Sequence, residues 1–128
     1  MNGVFLVEGG LQEDAARLGA SRVVLYVDCC PGRCTPLRGL PGVIVSRALT
    51  LDGLWELVMH RLKATARDSS ASVLMVSGLD CLGRGVDGRE YEALRAQVLD
   101  RLRALSRECG LLTMVSKGAC ACSHAMSA

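Results

Sequence analysis

The sequence predicts an α/β domain, a three-layer, mainly parallel five-stranded sheet with helices on both faces. Three observations carry this expectation. Five short apolar runs are continuous rather than alternating, as strands covered on both faces require. Between them lie segments whose apolar residues recur at spacings of three and four, the mark of helices with one buried stripe. Strands and helices alternate, which specifies parallel pairing through right-handed crossovers. A chain of 128 residues is long enough to bury one core and short enough to need only one domain.

The elements follow in order. "GVFLVEGG" (Gly3–Gly10) reads as a strand, and "LQEDAARLGA" as a short helix stopped by Gly19. "RVVLYVD" (Arg22–Asp28) is a second buried strand. The segment Cys29–Gly42 holds all three prolines and three glycines and is a loop. "VIVSR" (Val43–Arg47) is a third strand. A helix over about Thr50 to Arg67 carries Leu51, Leu54, Trp55, Val58 and Leu62 on one face, with Thr50 as its N-cap. His60 falls off this stripe, on an exposed face. Val73–Val76 is a fourth strand, and a second long helix covers about Gly88 to Cys109 with Tyr91, Leu94, Val98, Leu102 and Leu105 inward. Gly110 ends that helix, and Leu111–Val115 is the fifth strand. Residues 1–116 form the domain, and 117–128 a small-residue, cysteine-containing tail.

Half the residues are hydrophobic, yet there are one Phe, two Tyr and one Trp, so the core is aliphatic. The formal charge of +2 does not by itself point to nucleic acid. No apolar run approaches the roughly 18 residues of a membrane helix, and no basic-then-apolar leader opens the chain, so the expectation is a cytoplasmic protein. Seven cysteines are unusual for a reducing compartment. Scarce Asn and Gln together with short loops fit a thermophile, where internal disulfides occur.

Ligands of parallel sheets sit beyond the C-terminal strand ends, here Glu8–Gly10, Asp28–Cys34, Ser46–Arg47, Ser77–Cys81 and Ser116–Lys117. Cys29, Cys30 and Cys34 lie at one such end, and Cys120, Cys122 and His124 follow another. They can form a disulfide between loop and tail, remain unpaired, or supply soft ligands to zinc or an iron–sulfur cluster. Their spacings match no standard metal finger, so the first expectation is a disulfide and no cofactor. Arg84, Arg89, Arg103 and Arg107 cluster around the second long helix as candidate phosphate contacts. The acids interleaved with them also allow a plain solvated face of ion pairs.

The order of these pieces resembles the core of RecA-type recombinases and their paralogues. "VVLYVD" is similar to the family strand reading roughly "vlYIDtE", "VIVSRALTLDGLWELVMHRL" to the strand and helix that follow it, and "VLMVSGLD" to the Walker B strand. The resemblance spans about Val4 to Val115 and implies a minimal RecA-like sheet. The ATPase residues do not carry over. Gly9 and Gly10 stand where the family has GxxxxGK[ST], Cys30 where it has a water-polarising glutamate, and Ser77 where it has the Walker B aspartate. The resemblance therefore implies a pseudo-ATPase, a non-catalytic protein- or DNA-binding accessory factor in DNA recombination or repair, archaeal and thermophilic in character. It would form a homodimer, or a hetero-complex with a recombinase-family protein, through an uncovered first strand. "VFLVEGGLQEDAARLGA" also resembles the start of a Toprim domain. That alternative implies a Mg²⁺-dependent nucleic-acid enzyme using Glu8 and Asp80, although the family's later acid pair is absent. A metal or redox module built on the cysteines is the third expectation.

Overall fold

β1 (Gly3–Val7), β2 (Val24–Asp28), β3 (Val43–Arg47), β4 (Val73–Ser77) and β5 (Leu112–Ser116) form one all-parallel sheet in the order β1-β5-β4-β2-β3. α1 (Gln12–Gly19) follows β1, and α4 (Gly88–Cys109) joins β4 to β5. Between β3 and β4 runs a continuous helical rod made of α2 (Leu51–Glu56), a π turn (Leu57–Arg61) and α3 (Leu62–Ser69). The computed structural model describes residues 3–7, 11–29, 39–83 and 86–116, so the tail lies outside it. The expected α/β class and layering hold, and β4 is the one strand between β2 and β5.

Every residue of β2 and β4 is buried, and alternate side chains point to opposite faces. Val24, Tyr26, Val73 and Met75 pack with Leu11 and Ala15 on the α1 side. Leu25, Val27, Leu74 and Val76 join a larger cluster with Leu54, Val58, Leu62, Val98, Leu102 and Leu105 from the other helices. The continuous apolar run of β1 looks the same in sequence, yet β1 is an edge strand. Phe5 is 48% exposed and Leu6 43%, so the expectation of burial on both faces is corrected by its place in the sheet.

The inward stripe of the rod runs Leu54, Val58, Leu62 and Ala66, all buried, at a strict spacing of four. An α-helix repeats about every 3.6 residues, so such a stripe drifts around its own axis. The wider π turn takes up that drift and returns Leu62 to the core. Thr50 caps the rod as expected, its hydroxyl accepting from the Gly53 amide at 2.9 Å. Gly110 closes α4 in the left-handed region at φ 65°.

Ser106 anchors the edge strand. This buried hydroxyl on the last turn of α4 accepts from the Gly3 amide at 2.9 Å and donates to the Leu111 carbonyl. α1 ends at Gly19 as expected, and Gly19 has a packing role as well. A Cβ there would stand 2.6 Å from Val43 Cγ2. Its carbonyl touches the space above Gly42, which itself sits at φ +77°. Helix and strand connection meet here backbone to backbone. Gly42→Ala should therefore cost about 2–4 kcal/mol in urea unfolding, from the left-handed backbone and the clash together. Gly88→Ala, at an open first helical position, should be neutral or stabilising by less than about 1 kcal/mol. Equal effects at the two sites would contradict this packing.

Candidate functional site

At the C-terminal edge, register places Arg47 of β3 beside Asp28 of β2 and Asp28 beside Ser77 of β4. Ser116 of β5, opposite Val7 of β1, continues the row one step beyond the Val76–Val115 pair. Asp28, Ser77 and Ser116 are all buried, Asp28 at 1% exposure. By alternation Asp28 and Ser77 face the α1 side, above Tyr26 and Met75.

Arg47 Nε stands 3.7 Å from Asp28 Oδ2, with a third of the arginine side chain open to water. A buried carboxylate is tolerated when a cation faces it, and losing that cation is strongly destabilising. Below the row, burial pushes the Tyr26 hydroxyl pKa up. Ser77 beside it works the other way, while Asp28 and Cys29 add to the rise. Cys29, at the end of β2, is a buried free thiol, pushed up to about 12 by burial first and then by Asp28 and Cys81. The row is thus polar, with Asp28, Ser77 and Ser116 buried and Asp28 facing Arg47 at its open end.

Asp80, the acid of the Toprim-type expectation, sits on a 3₁₀ turn, Leu79–Gly83. Its Oδ1 accepts the Tyr91 hydroxyl at 2.7 Å, and Gly83 leaves room for the Tyr91 ring, since a Cβ would lie 3.1 Å from it. The pair ties the strand end to the first turn of α4. β1, which leads to Glu8, is separated from β4 by β5, about 10 Å at the level of the strands. Glu8, Gly9, Gly10, Cys30, Cys34, Arg84, Cys120, Cys122 and His124 lie outside the described residues. Among the described residues no three His, Cys, Asp or Glu side chains converge as metal ligands.

The arginine cluster divides. Arg103 is paired with Asp100 at 2.9 Å, as a solvated helix face requires. Arg89 lies fourteen residues earlier on α4, about 21 Å along the axis, so Arg89, Arg103 and Arg107 do not form one patch. A different cationic group does converge. Lys63 and Arg67 of α3 and Arg101 of α4 line a groove of about 500 Å³ with Met59, His60 and Asp68. Glu108 accepts from Lys63 Nζ at 3.1 Å and faces Arg101 Nη1 at 3.6 Å. The hydrogen bond and charge of Lys63 hold its carboxyl below the usual range, with Arg101 and Arg67 adding to the effect. Spacing along one helix cannot reveal this group, because its members come from two. The Asp28–Arg47 pair left a faint trace, in that "VVLYVD" and "VIVSR" each end on a charge. Comparison of the chain with protein-family models and with curated proteins finds no match.

Two outcomes follow from this geometry. Burial, and next the bond to Asp80, raise the Tyr91 pKa above its ordinary value. The folded protein therefore holds that proton more tightly than the unfolded chain does. The stability so gained is complete below about pH 10 and drains as the pH rises above it. Tyr91→Phe should flatten the alkaline fall in melting temperature, and an unchanged profile would contradict the assignment. Cys29 should resist iodoacetamide in the native protein at about pH 8 while the part-exposed Cys109 reacts. Equal labelling of the two before denaturation would refute the buried row.

Proposed function

We propose that the chain is a non-catalytic, RecA-like α/β domain that serves as an accessory factor in DNA recombination or repair, binding a protein partner through the β1 edge of its sheet. The observation that carries this reading is β1 itself. Among the described residues it is the outermost strand, paired with β5 alone. Its central residues Phe5 and Leu6 point to opposite faces and are both about half exposed. An apolar, unpaired edge is a template for another chain.

The strand order supports the family resemblance, which implies a phosphate-loop strand toward one side and the fourth strand between the second and fifth. The neutral Ser77 and the Asp28–Arg47 pair support a site without nucleotide chemistry. Both occupy strand ends where an ATPase would need an open Mg²⁺ ligand and free donors for phosphate.

Light scattering of the purified chain should give a mass above that of the monomer, or a recombinase-family partner should co-purify with it. Phe5→Glu combined with Leu6→Glu should abolish either association without lowering the melting temperature by more than a few degrees. A monomer at every concentration with no such partner overturns the edge reading. Micromolar binding of ATP·Mg²⁺ in calorimetry overturns the non-catalytic one.

A further inference from the structure

We propose that the groove between α3 and α4 is a binding site for a nucleic-acid backbone, in which Lys63, Arg67 and Arg101 take strand phosphates and Glu108 holds their place when none is bound.

His60, Lys63 and Arg67 recur at spacings of three and four, so they share one face of the rod. They extend about 10 Å along it. A linear run of donors fits a linear polyanion better than a single small anion. Arg101 reaches the same groove from α4. Its Nε is buried and donates to no acceptor among the described residues, although guanidinium forks suit phosphate oxygens. The row begins at His60, within the π turn Leu57–Arg61, and such turns recur at functional sites.

Glu108 shows what the groove accepts. Its carboxylate already takes the Lys63 donor and faces Arg101. The pair is solvent-exposed, with both side chains more than a third open, and exposed pairs of this kind exchange readily. Lys63, Arg67 and Arg101 against Asp68 and Glu108 leave a local charge of three minus two, or +1. The charge rises to +2 when Glu108 swings away, so an arriving phosphate meets more cation than the resting groove displays. The lining residues include no Phe, Tyr or Trp, and Trp55 packs against the core instead. Without a large aromatic platform and with cations as the donors, contact is chiefly to the backbone and independent of base sequence. This site is separate from the β1 edge, and failure here leaves the edge reading standing.

The test is fluorescence anisotropy of the full chain with a labelled DNA duplex of about 20 base pairs, titrated from about 20 mM salt upward. Binding should weaken with a log–log salt slope of roughly −2 to −3, for about three phosphate contacts. Unrelated duplex sequences should bind within about twofold of one another. Lys63→Ala and Arg101→Gln should each weaken binding by about fivefold and lower the slope by about one. Glu108→Gln should tighten binding about threefold, an outcome that a merely structural Glu108 would not give. Arg89→Ala, outside the groove, should change nothing, and circular dichroism melts confirm that each variant is folded. Absence of binding at low salt overturns the proposal. So does binding indifferent to Lys63 and Arg101, or weakened by Glu108→Gln. Binding of a phosphopeptide but of no duplex also overturns it, in favour of a protein-borne phosphate.

Discussion

The fold rests on the pairing of β2 with β4. All ten of their residues are buried, and they are matched in register from Val24–Val73 to Asp28–Ser77. Two neighbouring strands without a polar face must be covered on both sides at once. One side receives the helical rod and α4, which supply most of the core. The other receives α1, with eight residues. The strand order leaves β1 and β3 as the edges of the sheet. The five large apolar side chains exposed among the described residues, Phe5, Leu6, Leu40, Ile44 and Leu49, all lie on those two strands or within three residues of β3.

The same pairing shapes the C-terminal edge. Because β2 and β4 are buried along their whole length, their last residues are enclosed too, and Asp28 cannot look outward for a partner. It finds one in Arg47, the last residue of the adjoining strand. A carboxylate at this position of an α/β sheet is usually free to hold a ligand. Here the cation that would have to leave is anchored in the neighbouring strand. On the opposite face the chain keeps its unspent charge at the surface, in the groove of Lys63, Arg67 and Arg101.

Local pattern made much of this legible. The bounds of α4 and β3, the Thr50 cap and the Gly110 terminus all depend on residues close in sequence, and each falls where the sequence places it. The π turn was encoded as well, in the four-residue spacing of Leu54, Val58, Leu62 and Ala66, but a stripe read as plain 3–4 periodicity hides it. What escaped the sequence depends on position in space. The apolar run of β1 does not differ in pattern from that of a central strand; only the family resemblance pointed to an uncovered first strand, and the sheet order is what makes it an edge. Arg101 and Lys63 look like members of two solvated helix faces, and only the packing of α4 on α3 brings them to one carboxylate. Gly19 looks like a helix stop, and its closeness to Gly42 joins positions more than twenty residues apart.

The two apolar edges are unlike each other and lie at opposite ends of one sheet, which bears on how copies of this chain can combine. Two β1 strands related by a two-fold axis satisfy each other, and growth halts at a pair. If β1 of one copy meets β3 of the next, every addition leaves an open edge of each kind, and the sheet propagates as an unclosed array. Ile44 on β3 and Phe5 on β1 thus stand at a branch between a finite particle and a fibre. Whatever caps β3 decides which branch is taken.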